Sequence, residues 1–332
     1  MLSTRQNQIL KLIINEYIKS VRPISSSLIC EQLDCSSATI RNEMAILEEI
    51  GLLEKTHTSS GRIPSEKGYR YYVDNLLELT EISGEDMLKL QTIFENNSLV
   101  LNDAISKSME IVSELTNYTA IVLGSSSKEN KVSKIEAIPL PNRKMVTIIV
   151  TDKGHVENKE IIMDAQVSLE EIRQTVDLLN KLIIGTPIDE VACVLEFKIK
   201  PIIGNYIKQH EILYNAFYNA FNTFAKDTIK MSGTKNILMQ PEFDNIDKIR
   251  NIINKFDDKT LVNSIKEEDN GINIYIGSEN ELDDDLTIIK TKYNINGNEG
   301  TLALIGPKRM EYNRVLTLLN YIKQNISDCE EI

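Results

Sequence analysis

Five polar residues, Ser36, Ser37, Thr39, Arg41 and Asn42, crowd the start of a segment reading SSATIRNEMAILEEIG. Hydroxyls, a guanidinium and a carboxamide are the groups that hydrogen-bond base edges and phosphates. The segment has a helical period. Ile40, Met44 and Leu47 recur at i, i+4 and i+7, which predicts one buried stripe. Ser36 or Ser37 can cap the helix by accepting from an unpaired N–H two or three residues on. Gly51 can end it in the left-handed conformation. The five polar residues then lie near the N-terminal end and partly off the stripe, the placement of a helix that enters a DNA groove.

The residues that follow have turn chemistry set between strand formers. Ser59-Ser60-Gly61 lies between Thr56-His57-Thr58 and Arg62-Ile63, and this predicts a hairpin with Gly61 and Arg62 near its tip. From Lys55 to Tyr72 the bases are Lys55, Arg62, Lys67 and Arg70 against the single acid Glu66, a local charge of +3. Arg62 is expected to touch the minor groove or the backbone, with His57 in the same hairpin. Ser65 can cap a further helix in which Tyr69, Tyr72, Val73 and Leu76 share one face. That face is expected to pack on the preceding elements, with Tyr69 and Arg70 still within reach of phosphate.

Those groups need a scaffold, and the N-terminus supplies one. Ser3 and Gln6 resemble a capping box, and Ile9, Ile13 and Tyr17, flanked by Leu10, Ile14 and Ile18, predict a helix over 4–19. Arg22-Pro23 breaks it. Ser25 or Ser26 can start a second helix through Leu33, and Asp34-Cys35-Ser36 turns into the third. Helix, helix, turn, helix, hairpin is the order of a winged helix-turn-helix.

Beyond Gly84, helices are expected at Glu85–Phe94 and Ala104–Leu115, then strands at Thr119–Leu123, Lys134–Leu140, Lys144–Thr151 and Val156–Met163. Ser168 can cap a helix through Leu182. Residues 186 to about 264 read as mainly helical and carry an aromatic ridge, Tyr214, Phe217, Phe221 and Phe224, which suits a core or a dimer surface. Strand patterning returns at Ile272–Gly277, Thr287–Tyr293 and Gly300–Gly306, before a last helix at Met310–Ile326. The strands at 118–163 and 272–306 are expected to complete one antiparallel sheet, interrupted by the helical insertion. The class is α+β.

Charge and composition narrow the function. The chain of 332 residues has a net charge of −12, yet residues 1–75 hold nine Lys/Arg and nine Asp/Glu, so the remainder carries the whole excess. An acidic body under a neutral head argues against coating nucleic acid and for touching it through one small surface. Cys30, Cys35, Cys193 and Cys329 have no zinc spacing and read as reduced thiols. With no apolar run of membrane-spanning length and no signal-peptide pattern, the expected location is the cytoplasm, with no membrane partner. His57, His155 and His210 fall in separate regions, and no Walker, HExxH or Gly-x-Ser-x-Gly sequence is present. No catalytic residue, metal site or cofactor is expected. Glu279, Glu281, Asp283, Asp284 and Asp285 lack the spacing and glycine of a calcium loop. Two rival readings remain: a regulator that senses a metabolite in its body domain, and an enzyme with an appended DNA-binding head.

Several stretches resemble the HrcA family of bacterial heat-inducible transcription repressors: SSATIRNEM at 36–44 continuing as LEEIGLLEK, HTSSGR at 57–62, GYRYYVD at 68–74, GTKNILMQPEF at 233–243, IGSEN at 276–280 and GPKRMEY at 306–312. Two wing positions depart from the family habit, Thr56 in place of proline and Ser60 in place of alanine. The resemblance implies a winged-helix DNA-binding domain and linker helix over 1–80. It also implies a GAF-like domain in two parts, 85–185 and 265–332, and a mainly helical inserted dimerisation domain over 186–264. It further implies a homodimer on double-stranded DNA at the CIRCE inverted repeat, negative regulation of chaperone operons, and GroE chaperonin as the partner that keeps the repressor active. The DNA-binding residues expected on this reading are Ser36, Ser37, Thr39, Arg41, Asn42, His57, Arg62, Tyr69 and Arg70.

Overall fold

Ser3 opens the first helix, α1 (Thr4–Ser20), through a capping box with Gln6, and Ile9, Leu10, Ile13 and Ile14 form its buried face. The computed structural model describes residues 2–33, 35–56, 61–96, 101–124, 130–152, 154, 156–162, 168–200, 214–215, 217–218, 229–243, 245–257, 261, 264–265, 269–295 and 298–330. Two compact units emerge. One is Met1–Leu123 with Ile229–Asn294 and Gly300–Ile332, and the other is Gly124–Thr228 with Ile295–Glu299.

In the first unit, α2 (Ser26–Cys30) is shorter than expected, stopping before Leu33, and α3 (Ser37–Glu49) buries Ile40, Met44 and Leu47 as its period predicts. Strands β1 (Leu53–Lys55) and β2 (Arg62–Pro64) pair antiparallel with Lys55 opposite Arg62. A bridge from Ile24 to Arg62 adds a third segment beside β2. Gly61 is not at an open tip. A Cβ there would lie 2.8 Å from Pro23 Cβ. Helix α4 (Glu66–Asn75) is capped by Ser65, and Gly68 within it rests on the carbonyl of Leu52 with no room for a Cβ.

The same unit continues with α5 (Gly84–Phe94), α6 (Leu101–Thr116) and β3 (Thr119–Leu123). After the second unit it resumes with β7 (Ile229–Ser232), α9 (Thr234–Leu238), α10 (Ile246–Asp257), β8 (Ile272–Ile276), β9 (Leu286–Ile295), β10 (Asn298–Pro307) and α11 (Tyr312–Glu330). Its sheet has the order β7-β3-β10-β9-β8. One apolar cluster joins Ile121, Ile288, Ala303 and Ile305 of the sheet to Ile252 and Phe256 of α10.

The second unit carries β4 (Val132–Leu140), β5 (Lys144–Thr151), β6 (Val156–Ile162), α7 (Leu169–Ile183) and α8 (Ile188–Val194). Its three strands form their own sheet, β4-β5-β6. The expectation of one sheet made from 118–163 and 272–306 is therefore corrected. The reason is in the burial. All five residues of β3 are buried, as in a central strand covered on both faces, whereas β5 alternates strictly, as in a sheet covered on one face only. The expected insert boundaries, 186 and 264, also differ from the observed division. The strands of 132–162 belong with the insert, and the stretch from Ile229 returns to the first unit as edge strand β7 and two helices.

Within the second unit, Tyr214 and Phe217 are buried with Ile135, Met145, Ile149, Ile172 and Leu179. Of the two readings of the ridge, core rather than dimer surface describes these two aromatics; Phe221 and Phe224 lie outside the described residues. Asn180 of α7 brackets the edge of β4, accepting from Ile135 N–H at 2.9 Å and donating to its carbonyl at 2.8 Å. No helix among the described residues is long and apolar enough to cross a membrane.

Candidate nucleic-acid interface

The N-terminal end of α3 is built by its own hydroxyls. Ser36 Oγ accepts from Thr39 N–H at 3.1 Å and lies 2.9 Å from Thr39 Oγ1. Ser37 Oγ lies 3.0 Å from Ser26 Oγ, and Arg41 Nε donates to that same Ser26 oxygen at 3.2 Å. Ser26 thus ties the start of α2 to the start of α3 and holds the Arg41 guanidinium against the helix pair.

With Ile40, Met44 and Leu47 turned inward, Ala38, Arg41, Asn42, Ala45, Ile46 and Glu49 stand exposed along one stripe. Their i, i+3, i+4, i+7, i+8 and i+11 spacing keeps them on a single side of the helix. Arg41 and Asn42 are the expected readers. Ala38, Ala45 and Ile46 were missed because they are apolar, yet a methyl at a groove-facing position can contact thymine. Their signal was available in the period, as the complement of the buried stripe.

The cations near the hairpin divide differently from what local charge suggests. Arg62 Nε donates to Glu48 Oε2 at 2.7 Å, and its side chain is only 16% exposed. The backbone of Arg62 is also paired in both directions with Ile24. This arginine fastens β2 to α3. Lys67 Nζ donates to the Ile50 carbonyl at 2.9 Å, at the C-terminal end of α3, where a cation suits the helix dipole. Lys55 and Arg41 remain exposed. His57 lies outside the described residues.

Tyr69 and Arg70, expected at phosphate, are elsewhere, which corrects that expectation. Tyr69 is 3% exposed, its ring centroid 6.2 Å from that of Tyr312, and burial pushes its phenol well above the ordinary value. Arg70 donates to both carboxylate oxygens of Glu279, to the Ile274 carbonyl at 2.6 Å and to Asp74 at 3.2 Å. Burial disfavours its charge, but Glu279 and Asp74 outweigh that and leave its pKa raised. The helical period of Tyr69 and Tyr72 pointed to burial against the preceding elements, but the ring beside both is Tyr312 of α11. The carboxylate that captures Arg70 is over two hundred residues away in sequence, beyond the reach of any local pattern.

Comparison with known proteins agrees with this architecture. A family model described as the HrcA winged helix-turn-helix transcription repressor DNA-binding domain matches residues 1–75, and one described as the HrcA protein C-terminal domain matches residues 102–316. The chain is 40% identical to a heat-inducible transcription repressor HrcA of Bacillus pumilus, over 99% of this chain and 98% of the relative. It is 35% identical to the protein of that description from Listeria welshimeri, over 99% and 97%. A solved structure described as a hypothetical protein at 2.2 Å superposes with a TM-score of 0.73 at 24% identity, covering 99% of this chain and 98% of the other, which shows a shared fold.

Proposed function

Since the chain belongs to the HrcA family of heat-inducible transcription repressors, we propose that it silences chaperone operons as a homodimer on the CIRCE inverted repeat, with GroE chaperonin maintaining the binding-competent state. The observation that carries this reading is the exposed stripe of α3, a polar and methyl-bearing face held rigid by a buried one. In a major groove, Asn42 suits adenine and Arg41 suits guanine or phosphate, while Ser36, Ser37 and Thr39 set the helix end against the backbone. His57 is a further candidate contact on the resemblance of its sequence.

An inverted repeat calls for a two-fold pair of heads. The second unit offers a surface for pairing. Strand register places Ile138 and Leu140 of β4, Val146 and Ile148 of β5, and Val156 and Ile162 of β6 on the sheet face opposite the Ile135, Met145 and Ile149 core. Ile162 is 77% exposed and Val156 53%, and the ion pairs Lys134–Glu136 and Lys144–Glu160 share the face, so a second copy of this mixed, apolar-patched face is the partner we infer for it. Heat release needs only a repressor of modest stability whose competent fold is replenished by chaperonin.

Selection of bound DNA from a random pool by the full-length protein tests the core of the proposal. Recovery of an inverted repeat is expected, and binding to it should fail in an Arg41→Ala, Asn42→Ala double variant. Recovery of unrelated sequences, or an unaffected double variant, would sink it. Restoration of binding to heat-treated protein by added chaperonin tests the partner separately.

A further inference from the structure

Four of the stretches that marked this sequence meet in space away from α3. From Gly-Tyr-Arg-Tyr-Tyr at 68–72 come Tyr69, Arg70 and Tyr72; from 233–243, Gln240 and Glu242; from 276–280, Gly277, Ser278 and Glu279; from 306–312, Lys308, Arg309 and Tyr312. DNA contact does not account for them.

Helix α4 is fixed to the head on one side. Tyr71 Oη donates to Asn7 at 3.0 Å, Tyr72 Oη to Asn15 at 3.1 Å, and Gly68 rests on Leu52. Its other side is fixed to the turn after β8. Glu66 Oε1 accepts from Ser278 N–H at 3.2 Å and from Ser278 Oγ–H, while Lys308 Nζ lies 3.7 Å from Glu66 Oε2. One turn along, Arg70 meets Glu279 and the Ile274 carbonyl. The Glu66 carboxylate sits where a Cβ on Gly277 would be. Across the head, Arg309 joins Glu242 and Gln240 to the Ile18 carbonyl of α1.

The polarity of these contacts fixes a register. Glu66 faces donors and Arg70 faces acceptors, so sliding α4 by one turn would set Glu66 against Glu279 or Arg70 against the Ser278 N–H. We propose that Glu66 and Arg70 are positioning residues: with Gly277 they clamp the winged head to the turn after β8, and this clamp, rather than the chain between α4 and α5, sets where α3 points and which half-site spacing a dimer accepts. The spacing consequence rests on the dimeric-repressor reading; the clamp itself does not.

The test therefore has two arms, both on the full chain. In the first, spin labels at Glu31 of the head and Ser327 of α11, both exposed, are introduced with the native cysteines replaced by serine, and their distance distribution is measured without DNA. A single narrow distribution is expected, broadening at least twofold in Arg70→Ala and in Gly277→Ala. Arg70→Lys, which keeps the charge, should fall between. A distribution that stays narrow in both loosened variants overturns the clamp, whatever DNA does. In the second arm, half-sites recovered by selection are presented singly and as inverted repeats with spacers changed by one base pair. Wild type is expected to lose about tenfold or more in affinity off its preferred spacing, and Arg70→Ala to lose less than about threefold, with single half-site affinity within twofold of wild type. Equal losses on single and paired sites mean simple destabilisation and overturn the positioning role. Absence of any inverted-repeat preference in wild type rejects the dimeric-repressor reading, and the first arm still decides the clamp.

Discussion

Arg62 is the residue on which local charge and geometry disagree, and replacing it separates the two. If Arg62 neutralised a phosphate, Arg62→Ala would flatten the salt dependence of DNA binding by about 0.9 in log–log slope, a change of roughly 3.5-fold in relative affinity between 50 and 200 mM salt. The structure assigns it another task, because its guanidinium is 16% exposed and held 2.7 Å from Glu48. Truncation should then leave the slope intact. It should cost about 1–2 kcal/mol of stability, between the values for exposed and buried pairs, since Glu48 is 34% exposed and recovers water. For a unit of this size that corresponds to a fall in Tm of about 2–8 °C. Arg41→Ala is the matched control, an exposed residue on the outward stripe of α3 proposed to read DNA. It should flatten the slope by about one phosphate and cost no more stability than its one hydrogen bond to Ser26, about 0.5–1.5 kcal/mol. Fluorescence anisotropy at four salt concentrations, with calorimetry on each variant, measures both quantities. A flattened slope at unchanged Tm for Arg62→Ala would refute the reasoning.

Three further outcomes are expected. Gly68→Ala should destabilise by about 2–3 kcal/mol, because its Cβ overlaps the Leu52 carbonyl, whereas Gly84→Ala, with nothing within 4 Å, should be neutral or slightly stabilising; thermal unfolding compares them. Phe217→Ala should cost about 3–5 kcal/mol in urea unfolding of the second unit, while Ile148→Glu, on the opposite sheet face, should dissociate the proposed dimer in sedimentation without that loss. Alkaline stability should fall between pH 10 and 12. Tyr118 and Tyr293 are each held neutral by burial with pKa raised from 10.0 to about 12, so the unfolded chain ionises first. Stability is full below pH 10, and each tyrosine removes about 2.3 kcal/mol by pH 12; Tyr293→Phe should remove its share of that slope in urea titrations.

The head was legible in the sequence because its signals are local. The capping serines, the Ile40, Met44, Leu47 stripe and the break after Ser20 all act within a turn or two of helix. The body was legible as strands and helices but not as sheets, since register between distant strands has no local marker. A distinction was nonetheless present. Thr-Ala-Ile-Val-Leu of β3 is continuously buried, and Lys-Met-Val-Thr-Ile-Ile-Val-Thr of β5 shows a buried residue at every second position. The first belongs inside a sheet with two covers and the second to a sheet with one. Edge strand β7, four residues long with Lys230 in it, gave no pattern to read. Its place comes from pairing with β3.

The hairpin's positive charge misled for a related reason. Counting Lys55, Arg62, Lys67 and Arg70 treats each as a surface cation, but three of the four have fixed acceptors: Glu48, the Ile50 carbonyl, and the Glu279–Ile274 pair. A local excess of cations measures how many acceptors must be found, and the acceptors here come from α3 and from the far turn after β8. The most distinctive run in the head, Gly-Tyr-Arg-Tyr-Tyr, is then constrained by shape and pairing on both sides of one helix. Gly68 must lack a Cβ, Tyr69 and Tyr72 must enter the core beside Tyr312, and Arg70 must reach Glu279. That helix gains its specificity from joining two parts of the chain. Among the described residues, the outward stripe of α3 with Lys55 is the surface proposed to meet DNA, and a contact of that size on an acidic chain depends on where the joint aims it.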